Sequence, residues 1–165
     1  MVKHTTEVEE GHYREEYGRY YEEFDVGDVY EHRPGRTITQ TDNIWFTNLT
    51  MNAHPLHFNE EYGSESEFGE CIINSTLTLA VITGMSVSDL SYKAVANLGW
   101  DNVDLINPVF AGDTLYAESE VLSKRVSSSR PKDGIVTVET TGLNQSDDEV
   151  ISFERTILVP KKEEE

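Results

Sequence analysis

The 165-residue chain carries 31 acidic and 13 basic residues, a formal net charge of −18. This excess argues against nucleic acid and anionic membranes as partners, because both are polyanions. The length predicts a single domain with a core large enough to be stable alone. The acidic residues are spread along the whole chain, which suits a protein working in concentrated salt, where self-repulsion is screened. Solubility in an ordinary cytosol is the alternative explanation.

The chain divides by composition into three parts. Residues 1–23 are polar, acidic and rich in tyrosine, and we interpret them as an N-terminal tail. Residues 24–160 hold the long apolar runs and form the predicted domain, and residues 161–165 are a charged C-terminal tail. Cys71 is the only cysteine, so no internal disulfide is expected. No signal peptide or membrane-spanning run is recognised, and we expect a cytoplasmic protein.

Two short strands are predicted on either side of a turn at Pro34–Gly35. A helix is predicted next, from a cap at Thr41–Asp42 to about Met51. Its periodicity places three apolar residues on the inner face: Ile44, Trp45 and Leu49. Asn74–Ser75 then precede TLTLAVITGMSV, the most apolar run, whose periodicity alone leaves strand or helix open. Its length and its polar cap favour a buried central helix.

After Leu90 the chain becomes strand-like, in runs separated by Gly, Pro and Asp. The runs are AVANLGWDNVDLI, DTLYAESEVLSKRVS, GIVTVETTGLNQ and EVISFERTILVP. Long antiparallel strands that follow one buried helix imply an α+β fold, in which the sheet wraps around the helix.

Residues 50–59, TMNAHPLHFN, combine two histidines and two asparagines next to a predicted helix end. This segment offers a base, and the start of the central helix offers backbone N–H groups that favour negative charge. A base that faces an oxyanion site is what enolate chemistry on a thioester needs. The histidines have no cysteine or carboxylate partners at ligand spacing, so no metal site is predicted.

Several segments, taken in order, resemble one family over residues 24–160. The motifs are TITQTDNIWFTNLT, PLHFNEEY, FGECIINSTLTLAVITG and NPVFAGDTLYAESEVL. They are similar to the motifs of MaoC-like dehydratases, also called (R)-specific enoyl-CoA hydratases. TMNAHPLHF together with NSTLTL further resembles a subfamily that acts on short branched or carboxylated acyl-CoAs of the mesaconyl-CoA type.

The resemblance implies a hot-dog fold, an antiparallel sheet wrapped around a long buried central helix. It implies reversible hydration of a 2-enoyl-CoA, with coenzyme A entering as part of the substrate and no separate cofactor. A homodimer or a dimer of dimers is expected. The alternatives are a hot-dog acyl-CoA thioesterase, since the same oxyanion site serves both reactions, and a non-catalytic acyl-CoA-binding subunit.

The resemblance also assigns candidate site residues. His57 occupies the position of the family's catalytic histidine, and Asn52 replaces its catalytic aspartate. The backbone N–H of Ser75 is expected to bind the thioester oxygen, and Asn74 and Thr83 are expected to line the acyl pocket. Each residue has a purely structural alternative: a satisfied core histidine, a helix-end asparagine, a plain helix cap, or a threonine bonded to its own helix.

Overall fold

The computed structural model describes residues 4–163. Within this range the strands are β1 (His4–Glu9), β2 (His12–Glu16), β3 (Val29–Thr37), β4 (Ala96–Leu105), β5 (Thr114–Val126), β6 (Asp133–Leu143) and β7 (Glu149–Pro160). The α-helices are α1 (Gln40–Leu49), α2 (Glu60–Glu65) and α3 (Ser75–Met85). None of these helices is both long and apolar enough to cross a membrane.

Five strands form one antiparallel sheet in the order β3–β5–β6–β7–β4. Helix α3 lies across β3, β5 and β6. This confirms the predicted α+β arrangement, and the four strand-like runs after Leu90 are β4 to β7. The edge strand β4 leaves four large apolar side chains exposed: Leu98, Trp100, Val103 and Leu105.

Helix α3 begins at Ser75 because the Asn74 side chain caps it, accepting a hydrogen bond from the Thr76 backbone N–H at 3.0 Å. Its inner face contributes three side chains to the core: Leu77, Val81 and Ile82. The central helix is buried on this face, as predicted, and an exposed stripe runs along its other side: Thr76, Ala80 and Gly84. The sequence reads as apolar nearly all round because small residues such as Ala80 and Gly84 are compatible with either a buried or an exposed face.

The inner face of α1 is also the reverse of the predicted one. Asn43 and Thr47 are the buried residues of this helix, whereas Trp45 is 69% and Leu49 is 78% exposed. The helix is capped by Thr39, and Asp42 is the third helical residue, whose carboxylate accepts from the Thr39 backbone N–H at 2.9 Å. Two polar side chains of α1 therefore point inwards with Phe46, whereas Trp45 and Leu49 point towards solvent.

The two strands predicted around Pro34–Gly35 are one strand, β3, whose pairing with β5 shifts register between His32 and Arg36. A Cβ at Gly35 would lie 2.4 Å from the ring of Tyr116, so the strand needs glycine where it bends. Before it, β1 and β2 form an exposed hairpin within the segment assigned to the tail. The next residues pack on the domain, since Arg19 donates to Asp89 at 2.9 Å.

Four buried polar side chains, which we call the polar layer, stand on the helix-facing side of the sheet: His32, Ser119, Thr140 and Arg155. His32 Nε2 lies 2.9 Å from Ser119 Oγ, which lies 2.8 Å from Thr140 Oγ1. Two hydrophobic clusters flank the layer. One packs under α3 around Leu77 and Phe153, and the other lies around Phe24 and Ile157.

Burial lowers the pKa of His32 to about 4, although the carboxylate of Asp89 opposes the shift. The unfolded chain binds a proton at His32 below its ordinary value of 6.5, whereas the folded chain stays neutral down to about 4. The free energy of unfolding is therefore expected to fall as the pH drops through this window, by about 2 kcal/mol between pH 7 and pH 5. Urea unfolding at both pH values checks this, and His32→Gln should lack that loss. An equal loss in the variant would assign the pH dependence to other groups.

Candidate active site

His57 ends a short turn that starts at Pro55, and its side chain is buried. Its Nδ1 lies 3.0 Å from the backbone oxygen of Ile72. A carbonyl can only accept, so Nδ1 carries the proton and donates, and the lone pair of the imidazole is at Nε2. Among residues 4–163 no hydrogen bond engages Nε2. The structure thus holds His57 in the tautomer that a general base requires.

Asn43, on the inner face of α1, joins three segments of the site. Its Nδ2 donates to the backbone oxygens of His57 at 2.8 Å and Ile72 at 3.0 Å, and its Oδ1 accepts from the Asn74 backbone N–H at 2.9 Å. The same Ile72 carbonyl orients the imidazole, so Asn43 positions both the base and the start of α3. The sequence analysis missed this residue. A polar residue beside the predicted cap at Asp42 was its only signal.

Replacing Asn43 by aspartate keeps the shape of the side chain but removes both N–H donors. Two buried carbonyls then lose a partner, and we expect the free energy of unfolding to fall by about 1–3 kcal/mol. We also expect kcat to fall, because His57 and the start of α3 lose their common support. Urea unfolding and steady-state rates measure the two effects. Thr47→Val is the matched control, because Thr47 Oγ1 bonds only to its own helix. An Asp variant with unchanged stability and rate would remove this role.

A cavity of about 210 Å³ opens at the N-terminus of α3. Ser75 and Thr78 line it on the helix side, and Leu105, Ile106 and Val150 line it on the side of the sheet. Among the described residues nothing accepts a hydrogen bond from the Ser75 backbone N–H, and Ser75 lines the cavity. A free N–H at the positive end of a helix favours a developing negative charge.

Asn52 follows α1 and is half-buried. Its Oδ1 accepts from the His54 backbone N–H at 3.1 Å, which fixes the orientation of the amide and turns Nδ2 away from that contact. Within residues 4–163, Nδ2 donates no hydrogen bond. The ring of His54 lies edge-on to that of His57, with centroids 6.1 Å apart, so His54 packs beside the base and does not point away from it.

Asn74 and Thr83 do not line this cavity. The Oδ1 of Asn74 caps α3, while its buried Nδ2 has no hydrogen-bond partner. The Thr83 hydroxyl is likewise buried without a partner, so it does not bond back to its own helix. The structure joins His57, Asn74 and the start of α3 through Asn43, and it places Thr83 two turns further along the helix.

A larger cavity, of about 470 Å³, lies at the opposite end of α3, between Met85 and residues 16–23. It contains neither His57 nor Ser75, and its cationic side chains are engaged. Arg19 bonds to Asp89, and Lys93 Nζ donates to the Tyr17 backbone oxygen at 2.6 Å. His57 and Asn52 line neither cavity. The smaller cavity is the better candidate, because it is lined by Ser75 and by Ile72, whose backbone oxygen contacts the His57 imidazole. In the part of the chain that the structure describes, no cluster of His, Cys, Asp or Glu could hold a metal ion.

The family model described as mesaconyl-CoA hydratase matches residues 4–165. The chain belongs to the mesaconyl-CoA hydratase family. A mesaconyl-CoA hydratase of Haloarcula marismortui is 36% identical over 149 residues, which cover 90% of this chain but 42% of that protein. This family member therefore spans less than half the length of that relative.

Solved structures share the fold of this member of the mesaconyl-CoA hydratase family. A monoamine oxidase regulatory protein from Archaeoglobus fulgius is 30% identical with a TM-score of 0.79, covering 88% of this chain and 97% of that one. A Mycobacterium tuberculosis protein with a double hot-dog fold has a TM-score of 0.81 at 22% identity, covering 90% of this chain and 46% of that one. The fold is the predicted hot-dog fold.

Proposed function

We propose that this chain reversibly hydrates a short, carboxylated 2-enoyl-CoA of the mesaconyl-CoA type. The observation that carries the proposal is the His57 imidazole, which the Ile72 carbonyl holds with its Nε2 lone pair free. Ile72 also lines the cavity that contains Ser75, whose backbone N–H has no partner among the described residues. The name of the Haloarcula relative supplies the substrate type.

In the proposed forward reaction His57 acts twice, first as the base and then as the acid. The Ser75 N–H polarises the thioester carbonyl, and Asn52 Nδ2 holds a water or the carbonyl. His57 Nε2 takes a proton from the water as the hydroxide oxygen bonds to C3. The electron pair of the double bond moves onto the thioester oxygen, and the resulting enolate takes the proton back from His57 at C2. Dehydration follows the reverse path.

Spectroscopic assays with mesaconyl-CoA and crotonyl-CoA test this function. Loss of the enoyl absorbance without release of free thiol is the expected result, with mesaconyl-CoA the better substrate. Thiol release in place of enoyl loss would make the protein a thioesterase. Binding of acyl-CoA without turnover of either kind would make it a binding subunit.

We also propose that a second copy of the chain covers the β4 edge in a homodimer. The open backbone of this edge strand and its exposed side chains, Trp100 and Leu105 among them, support a partner there. The exposed stripe of α3, formed by Thr76, Ala80 and Gly84, is a second surface that the chain itself does not cover. Light scattering on the purified protein is expected to give twice the chain mass.

Concentrated salt is the proposed working environment. With a net charge of −18, self-repulsion should destabilise the fold in dilute buffer, and screening should restore it. The thermal midpoint is therefore expected to be higher in molar KCl than in dilute buffer. A midpoint that stays the same or falls in KCl would instead favour an ordinary cytosolic protein.

A further inference from the structure

The hydroxyl of Thr78 is a polar group of the smaller cavity that the proposed reaction does not use. Thr78 lies one turn beyond Ser75 on α3, lines the same cavity and is 3% exposed. Among residues 4–163 its Oγ1 forms no hydrogen bond. A hydroxyl that is largely removed from water and left without a partner costs free energy, so this position is suited to a ligand group.

The local structure explains why this hydroxyl is free. A helical threonine can bond back to the carbonyl four residues earlier, as Thr47 does to Asn43 at 2.9 Å. For Thr78 that carbonyl belongs to Asn74, and it already accepts from the backbone N–H groups of Leu77 at 2.9 Å and Thr78 at 3.1 Å. A carbonyl oxygen has two lone pairs, so no acceptor position remains for the hydroxyl.

The electrostatics of the cavity favour an anionic ligand group. The chain has 31 acidic residues, yet none within residues 4–163 lines this cavity. The cavity lies at the N-terminus of α3, the positive end of the helix dipole. Most of the other lining residues are apolar, Leu105 and Val150 among them, so water screens a hydrogen bond there only weakly. An ionised carboxylate is acceptor-only and complements a free hydroxyl donor.

The spacing of Ser75 and Thr78 matches a short acyl group. The two residues are three positions apart, which is about 4.5 Å along the helix axis. In a four-carbon acyl group the thioester carbon and the far carboxylate carbon are three bonds apart, about 3.8 Å in the trans form, as for successive Cα atoms. A thioester bound at the Ser75 N–H therefore places this carboxylate beside Thr78, whereas a fatty acyl chain would place a methylene there.

We propose that the Thr78 hydroxyl donates a hydrogen bond to the free carboxylate of a four-carbon acyl group, which makes Thr78 a specificity-determining residue. The inference rests on the proposed function for the class of its ligand. Discrimination follows because an acyl group that ends in a methyl leaves the buried hydroxyl without a partner.

Succinyl-CoA and butyryl-CoA test the proposal without any turnover. Both carry a saturated four-carbon acyl group, and they differ in a carboxylate against a methyl. Calorimetry is expected to show that Thr78→Val binds succinyl-CoA about 10- to 100-fold more weakly than the wild-type protein, the range of a hydrogen bond to a charged group. The affinity for butyryl-CoA should stay the same or rise.

Each ligand is compared between two proteins, so its repulsion by the net charge of −18 cancels. An unchanged affinity for succinyl-CoA, or an equal loss for both ligands, would overturn the proposal. The melting temperature of ligand-free Thr78→Val is expected to stay the same or rise, because the hydroxyl has no partner to lose. A strongly lowered melting temperature would reveal a structural partner and would also overturn the proposal.

Thr78→Ser separates the hydroxyl from the methyl group. This variant keeps the donor and should keep most of the affinity for succinyl-CoA, whereas a loss as large as that of Thr78→Val would assign the effect to packing and overturn the proposal. Thr47→Val is the matched control, because Thr47 is a buried threonine that lines neither cavity. It should bind both ligands as the wild-type protein does.

The two proposals fail separately. A protein that hydrates neither enoyl-CoA but loses affinity for succinyl-CoA alone in Thr78→Val would refute the proposed function alone. A protein that hydrates mesaconyl-CoA, yet binds succinyl-CoA equally well with and without the Thr78 hydroxyl, would refute the role of Thr78 alone.

Discussion

His57→Ala is expected to lower kcat for hydration by about 10²- to 10⁴-fold, the usual contribution of a general acid–base group. The reason is local: His57 is the histidine whose Nδ1 is bonded to a backbone carbonyl, so its Nε2 can accept a proton from water. Steady-state rates with mesaconyl-CoA measure the loss, and circular dichroism shows whether the variant is folded.

His54→Ala is the control for this experiment. His54 lies beside His57 and is exposed, but its Nδ1 accepts from the Leu56 backbone N–H and so serves the local turn. We expect a much smaller decrease in kcat. A folded His57→Ala protein with near-normal turnover, or equal losses in both variants, would contradict the role of His57 as the base.

Asn52→Asp is expected to lower activity by about 10²- to 10³-fold, the usual cost of one donor at a developing oxyanion. In the structure, this substitution changes the Nδ2 donor of Asn52 and leaves the contact of Oδ1 in place. Asn52 Oδ1 accepts from the His54 N–H, and a carboxylate oxygen can keep that bond. The change therefore removes the Nδ2 donor and adds a negative charge where the proposed reaction forms an enolate, with little effect on the turn.

Rates with crotonyl-CoA and mesaconyl-CoA distinguish two models for Asn52. If the aspartate served only as a second base, the variant would gain activity on the linear substrate, and the donor model would be wrong. Asn59→Asp provides the matched control. Asn59 Oδ1 accepts from the Tyr62 N–H at the exposed start of α2, so this variant should keep its activity.

The sequence predicted those parts of the fold in which local signals and tertiary packing agree. Asn74 is a good cap in any context, and the run after it is too long and apolar to lie on a surface. The four strand-like runs after Leu90 are separated by Gly, Pro and Asp. These features specify α3 and β4 to β7 without knowledge of partners.

Helix α1 shows why the rest could not be predicted. Periodicity assumes that apolar side chains face the core of the same chain, but Trp45 and Leu49 face outwards, and Asn43 is buried because three backbone groups bond to it. Those bonds come from segments distant in sequence. Arg155 was detectable, because it shares the alternation of Phe153 and Ile157, yet its charge suggested an exposed position.

The three hydrogen bonds of Asn43 link the position of His57 to the position of α3. One carboxamide binds the backbone oxygen of His57 itself, the Ile72 carbonyl that sets its tautomer, and the backbone N–H of Asn74, which caps α3. A fluctuation that detaches α1 therefore releases the base and the oxyanion site together. Under the proposed function, partly open conformations would then be inactive, because the base and the oxyanion site are lost in a single step.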